Sequence, residues 1–246
     1  MTIPLDGITT VFIDDGGVLN NNRLRGPQWA RLCGEFLAPR LGGTPEAWSA
    51  ANPVVFGLLW SGDFGPGGST KFASFREWSA AYYEAWLTGM CQAVGVQLPP
   101  PHRTNRIARD ADDYITRRVV AAFPGATDAV RKLRDHGLTL HLGSGGDSRG
   151  LANYMEGMGI RDCFETLYGA DLVDTLKDRP EFHRRVFQDA GIDAERALVV
   201  DDSPASLTWA SNLGAKTALI AEQPHPRFTF TAPSLAALVE QLLQQR

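Results

Sequence analysis

Val11-Phe12-Ile13-Asp14-Asp15-Gly16-Gly17-Val18-Leu19 decides how the rest of the chain reads. A short apolar run follows the turn-prone Pro4 to Gly7 and ends in two carboxylates, the pattern of a buried strand. The two glycines after the acids let the backbone turn sharply and come close to a ligand. A carboxylate at the carboxyl end of a strand in an α/β sheet stands where such sheets bind their ligands. Taken alone, the same stretch also fits a strand ending in a solvated acidic turn.

After Leu19 the strand signals stop for about a hundred residues. Pro27 suits a first helical position, with Trp29, Leu32, Cys33, Phe36 and Leu37 on one face and Pro39 as the stop. Thr44-Pro45 starts a second helix, which the break at Asn52-Pro53 is expected to close. Ser61 to Thr70, with Gly62, Gly65, Gly67 and Gly68, is a loop. A long helical pattern over Ser74 to Val94 carries Phe75, Trp78, Tyr82, Trp86 and Met90. Pro99-Pro100-Pro101 is a stiff connector, and a charged helix over Thr104 to Val120 follows. Five of the six tryptophans (Trp29, Trp48, Trp60, Trp78, Trp86) fall in this insert, as expected where a small helical domain needs large side chains for its core.

From Phe123-Pro124-Gly125 onward strands and helices alternate. Asp128 to His136 is a helix stopped by Gly137, and Leu138 to Leu142 is a strand entering Gly143-Ser144-Gly145-Gly146. Helices over Ser148 to Gly157 and Pro180 to Ala190 flank a short strand at Thr166 to Gly169. The strand Ala197 to Val200 runs straight into Asp201-Asp202-Ser203-Pro204. A helix from Pro204 to Leu213, a strand over Lys216 to Ile220 and a helix over Ser234 to Gln244 complete the chain. This alternation predicts a Rossmann-like parallel sheet covered on both faces. The α/β core then comprises residues 1–19 and 123–246, with an all-helical domain, 20–122, inserted into it.

Composition narrows the functional classes. The 246 residues are 43% hydrophobic and 21% charged, ordinary values for a globular protein with a real core. A formal net charge of −4 points to neither nucleic acid nor membrane. The insert holds 11 Lys+Arg and 8 Asp+Glu against 13 and 20 elsewhere, too small a contrast to identify a partner. No apolar run approaches membrane-spanning length and no secretory signal is visible. Cys33, Cys91 and Cys163 are widely spaced and outside any C-x-x-C pattern, so free thiols in a reducing cytoplasm are expected. The sequence leaves the oligomeric state open.

Three strands thus end in usable groups: Asp14, Ser144, and the pair Asp201-Asp202, with Lys177 ahead of a helix between the last two. Strand ends on one edge of a parallel sheet converge. A carboxylate can take a phosphoryl group as a nucleophile. A hydroxyl and the N–H groups of a glycine turn can hold phosphoryl oxygens, and lysine neutralises them. Clustered carboxylates call for a cation, and oxygen ligands select Mg²⁺.

In this order and spacing the four stretches resemble the haloacid dehalogenase superfamily. The resemblance implies Asp14 as nucleophile, with Ser144, Gly145 and Lys177 around the transferring group. It implies Mg²⁺ bound by Asp14, the Gly16 carbonyl, Asp201 and Asp202, and the insert as a type 1 helical cap hinged near Leu19 to Asn22 and Ala121 to Pro124. A small phosphorylated metabolite is the implied substrate. Phosphatases of the superfamily usually carry a second aspartate, the general acid, two residues after the nucleophile; Gly16 stands there. That departure keeps open a metal-independent dehalogenase and a non-catalytic ligand-binding homologue. A register with Asp15 as nucleophile would put Gly17 at the acid position and spoil the match at Val18-Leu19. Asp15 is expected to face away from the site, because neighbouring strand residues point to opposite sides. His141 and His183 read as core histidines, and Arg23 and Arg25 follow the first motif closely enough to reach an anion or to lie on the surface. Asp178 replaces the proline that often follows the motif lysine.

Overall fold

The computed structural model describes residues 7–65 and 68–243. Of the stretches read above, Pro4 to Asp6, Gly67 and Gln244 lie outside the described residues. The chain divides into two compact units, one running up to Asn22 and from Ala121 on, the other Arg23–Val120.

Among the described residues the first unit holds one sheet of six parallel strands: β1 Thr10–Ile13, β2 Thr139–Gly143, β3 Thr166–Tyr168, β4 Ala197–Asp201, β5 Lys216–Ile220 and β6 Phe230–Ala232. Their order is β3-β2-β1-β4-β5-β6. Helices α5 Ala126–Asp135, α6 Ser148–Gly157, α7 Glu181–Ala190, α8 Pro204–Asn212 and α9 Leu235–Leu243 connect and cover it. β1 is central and buried along its length, as a strand with helices on both faces must be. The strand order reverses between β1 and β4, so the chain leaves their adjacent carboxyl ends in opposite directions and opens a crevice there. Ile13 pairs with Leu142 on one side and Val200 on the other, which sets Asp14 beside Gly143 and Asp201, the last residues of β2 and β4.

Side-chain alternation along the strands sends Phe12, Val199 and Leu219 to one face, where they join Phe182, Val186 and Phe187 of α7 and Leu207 and Ala210 of α8. Phe12 stacks on His141 at 5.0 Å and meets Phe187 edge-on at 5.3 Å. His141 is a core residue, with burial lowering its pKa. Its Nδ1 is buried without a hydrogen-bond partner among the described residues.

The second unit is helical: α1 Asn22–Leu41 (whose first residue belongs to the sheet unit), α2 Pro45–Ser61, α3 Phe75–Val94 and α4 Pro101–Thr116, with a 3₁₀ turn at Gly68–Lys71. Thr44 and Ser74 cap α2 and α3 by accepting the N–H groups of Ala47 and Glu77. The glycine loop ends in that 3₁₀ turn.

Three prolines behave differently from the sequence expectation. Pro27 and Pro39 lie inside α1 rather than at its ends, and α2 runs through Asn52-Pro53 to Ser61. Each proline removes one helical hydrogen bond, but all three are exposed, so water can serve the freed carbonyls. The opposite face of α2 is anchored by Trp48, fully buried, and by Asn52, whose Oδ1 accepts from Trp86 Nε1 at 3.2 Å. α4 starts three residues earlier and stops four earlier than its charge pattern implied, Pro101 serving as its first residue. Of the tryptophans expected in the core, Trp48 and Trp86 are buried and Trp60 is 47% exposed.

The division falls after Asn22 and after Val120, three and two residues inside the insert read from sequence as 20–122. The two crossing segments pair with each other within the sheet unit. Asn21 N–H donates to Ala121 at 2.7 Å, and Phe123 N–H donates to Leu19 at 2.8 Å. The three cysteines are free and buried. No helix among the described residues is long and apolar enough to cross a membrane.

Phe12 joins the sheet to α7 directly beneath the crevice, so truncating it opens a cavity. Phe12→Ala should cost about 3–5 kcal/mol in urea unfolding, with Phe12→Leu costing clearly less. An unchanged unfolding midpoint in Phe12→Ala would contradict this packing.

Candidate active site

At the end of β1, Asp14 continues the sheet by donating its N–H to Val200 at 2.9 Å. The chain then folds back on itself. The Asp15 carbonyl accepts from both Leu19 and Asn20 N–H, and Gly17 N–H donates to Asn20 at 2.9 Å. Asp15 Oδ1 accepts from Asn20 Nδ2 at 2.6 Å, so this carboxylate belongs to the turn. The bridge between residues 16 and 20 uses the Asp15 carbonyl and the Gly17 N–H and leaves the Gly16 carbonyl out of it. Gly17 has φ +88°, and a Cβ there would stand 1.9 Å from Asp202 Oδ2. Only glycine lets the turn pass so close to that carboxylate.

The loop after β2 is held on several sides. Ser144 N–H donates to Tyr168 at 3.0 Å, and Gly146 accepts from Ala170 N–H at 2.9 Å. Asp147 caps α6 by accepting Gly150 N–H at 2.8 Å. Asp171 takes both the N–H and the hydroxyl of Ser148, at 2.7 and 2.6 Å. Ser144 is buried, and Gly145 lies alongside the Lys177 stem.

Lys177 arrives on the segment after β3. Arg185 of α7 fastens that segment by donating to the carbonyls of Val173 at 2.7 Å and Asp174 at 3.1 Å, where Asp174 holds a left-handed φ of +47°. The Lys177 ammonium meets three acceptors: Asp14 Oδ1 at 2.7 Å, the Gly143 carbonyl at 2.7 Å and Asp201 Oδ2 at 2.8 Å. Asp201 is saturated further. Its Oδ1 accepts Ser203 N–H at 2.8 Å, and its Oδ2 accepts the Ser206 hydroxyl at 2.7 Å. Ser203 caps α8 and Pro204 opens it, which turns Ser206 back toward the end of β4.

Among the described residues Asp14, Asp201 and Asp202 each bring a carboxylate oxygen within 4.8 Å of the others, with Asp202 the exposed member. Burial pushes Asp14 up to about 7; Lys177 opposes this, and the Asp201 charge adds to it. Burial would also raise Asp201, but Lys177 and the Ser203 and Ser206 donors outweigh it and hold the carboxyl low. Burial works against the Lys177 charge too, yet Asp14 and Asp201 keep its pKa above the ordinary lysine value. Three carboxylates therefore face one ammonium. A divalent ion with oxygen ligands fits that surplus of negative charge, and the glycine backbone beside Asp202 leaves room for close approach.

The fold thus gathers Asp14, Lys177, Asp201 and Asp202 at one crevice, with Ser144 and Gly145 at the end of the neighbouring strand and Gly16 in the adjoining turn. Sequence reasoning missed the Gly143 carbonyl, Asn20 and Ser206. Ser206 carried a usable signal, since a serine three residues after a Ser-Pro helix start lies in the first turn. His183, read as a core histidine, is buried as expected, and its Nε2 lies 2.8 Å from Ser206 Oγ.

Comparison with known proteins bears on the fold and the family. A family model described as haloacid dehalogenase-like hydrolase matches residues 77–220, a span that includes Ser144, Lys177, Asp201 and Asp202. The chain is 27% identical over 122 residues to a phosphoglycolate phosphatase of Rhodospirillum rubrum, covering 44% of this chain and 51% of that protein. It spans about half the length of the curated relatives it matches. Two solved structures share the fold over nearly the whole chain. One is the L-2-haloacid dehalogenase from Xanthobacter autotrophicus (TM-score 0.62, 17% identity, 95% of this chain and 97% of that one). The other is a HAD phosphatase from Thermococcus onnurineus (TM-score 0.60, 15% identity, 96% and 98%). With more than half its length matched by the family model and a parallel sheet of this order beneath the motif residues, the chain belongs to the haloacid dehalogenase-like hydrolases.

Proposed function

We propose that this hydrolase is a Mg²⁺-dependent phosphatase of a small phosphorylated metabolite, with Asp14 as the nucleophile and the inserted helical unit as its cap. The observation that carries the reading is the surplus of negative charge at the crevice, where among the described residues Asp14, Asp201 and Asp202 cluster and Lys177 pairs with the first two. A dehalogenase working without metal on a carboxylate substrate would meet repulsion there. The phosphatase among the curated relatives supports the same side.

Lys177 holds Asp14 Oδ1 and so leaves Oδ2 as the attacking oxygen. That oxygen forms a bond to phosphorus as the bond to the leaving oxygen breaks, giving an aspartyl-phosphate. The Ser144 hydroxyl, the Gly145 N–H and Lys177 bind the transferring oxygens. Water then attacks phosphorus, which returns the Asp14 carboxylate and releases phosphate. Mg²⁺ held by Asp14, Asp202 and the Gly16 carbonyl, with Asp201 beside them, would neutralise charge on the phosphoryl group. Gly16 offers no proton to the leaving oxygen, so solvent must supply it.

That missing proton donor shapes the expected substrates. General acid help is worth about 10²–10⁴-fold, so acyl and aryl phosphates should turn over faster than alkyl phosphates by about that range. Equal rates across the three classes would contradict the role given to Gly16.

Gly16 is also what favours the second reading, carbon–halogen hydrolysis by the same Asp14, since attack on a carbon–halogen bond needs no such acid. Chelation separates the two. Phosphate release from an aryl phosphate should fall to background in EDTA and return with Mg²⁺. Halide release from 2-halocarboxylic acids that survives EDTA, with no phosphatase activity, would replace the proposal. Asp14→Asn should abolish phosphate release with the thermal unfolding transition retained, and undiminished turnover would remove Asp14 from the chemistry.

A further inference from the structure

His183 sits in an apolar shell. It lies on α7 between Phe182 and Phe187, at ring distances of 5.5 and 6.2 Å, and is 3% exposed. An imidazole in such a place loses hydration, and a phenylalanine or leucine would fill the space without that penalty. Among the described residues what it gains is one polar contact, Nε2 to Ser206 Oγ at 2.8 Å. Ser206 is equally buried, and its hydroxyl is 2.7 Å from Asp201 Oδ2, the oxygen that also receives the Lys177 ammonium.

Proton counting gives this chain a direction. A serine hydroxyl has one hydrogen, and an ionised carboxylate can only accept. The Ser206 proton therefore points to Asp201, and Ser206 Oγ must accept from His183. That requires a proton on His183 Nε2, and because burial keeps the ring neutral this is the Nε2–H tautomer. The sequence of donors is fixed from His183 to Ser206 to Asp201, in dry surroundings where each bond polarises the next. At the far end Asp201 and the Gly143 carbonyl are the two acceptors that set the Lys177 ammonium against Asp14.

We propose that His183 is a positioning residue: by donating to Ser206 it commits the serine proton to Asp201 and so fixes the carboxylate that holds Lys177 against Asp14. The inference rests on Asp14 and Lys177 acting as described above, but its geometry can be tested without turnover. Hydrogen bonds one step removed from a reacting centre typically contribute about 10–100-fold.

Three variants of the full chain test it: His183→Leu, His183→Gln and Ser206→Ala. Nitrogen-15 spectra of the wild type should show His183 protonated on Nε2, and a hydrogen-bonded Lys177 ammonium protected from solvent exchange. That ammonium signal should be lost in His183→Leu and Ser206→Ala and retained in His183→Gln, which keeps an N–H donor at similar reach. With an aryl phosphate and Mg²⁺, kcat should fall about 10–100-fold in His183→Leu and Ser206→Ala with KM little changed, and His183→Gln should recover most of the loss. A His183 protonated on Nδ1, or a protected Lys177 ammonium in Ser206→Ala, would overturn the proposal. So would wild-type kcat in a folded His183→Leu. Should His183→Leu fail to fold, the tautomer and Ser206→Ala decide alone. If Asp14→Asn keeps full turnover, the nucleophile assignment fails, while the tautomer and the Lys177 signal still decide whether His183 positions the lysine.

Discussion

The Lys177 ammonium, set among Asp14, Asp201 and the Gly143 carbonyl, is the contact on which the site depends. It joins the ends of three neighbouring strands through one cation. Its worth is not primarily stability. Removing one partner of a buried ionic group costs about 3–5 kcal/mol, yet replacing a whole group by apolar residues is often neutral or favourable. A buried lysine with two carboxylates, and a third carboxylate beside them, is an arrangement that folding alone would not select. In the proposed mechanism it would keep one oxygen of Asp14 engaged and leave the other to attack phosphorus.

The sheet makes this contact available by its order. Because the strand order reverses between β1 and β4, their carboxyl ends lie side by side, and Asp14 and Asp201 meet there. The glycine turn then brings backbone against Asp202 where any side chain would collide. Around these groups the supporting contacts are redundant. Asp171 and Asp147 hold the start of α6, Arg185 fastens the lysine segment, and Ser203 and Ser206 hold Asp201. A site on loops is positioned to a fraction of an ångström only when its loops are tied down in this way.

Much of this was legible in the sequence, for reasons that differ by element. Buried parallel strands are continuous apolar runs, so Val11 to Ile13 and Ala197 to Val200 announce themselves, and β5 was read at its full length. Helices capped by Thr44, Ser74 and Gly95 carry local signals that no tertiary contact overrides. Pro27, Pro39 and Pro53 misled because a proline's local effect is strong, while the packing of the opposite helix face is invisible to a local pattern. β6, three residues on the sheet edge, is too short to show a period. In the site, the motif residues could be placed because each stands at or after the carboxyl end of a strand in one parallel sheet, in the order of the four motifs. The bond between Lys177 and Asp14 spans 163 positions and follows only from that order. The link from His183 to Ser206 has no motif behind it, and only packing brings α7 against α8.

The central claim is that Asp14 carries the phosphoryl group between substrate and water. An acyl phosphate is reduced by borohydride to a primary alcohol, so quenching the enzyme during turnover of an aryl phosphate and analysing the peptide that contains Val11 to Leu19 by mass spectrometry tests it most directly. Asp14, and neither Asp15 nor another carboxylate, should be converted, and only when substrate and Mg²⁺ are present. An unmodified Asp14 under steady turnover, or conversion at a different acid, would contradict it.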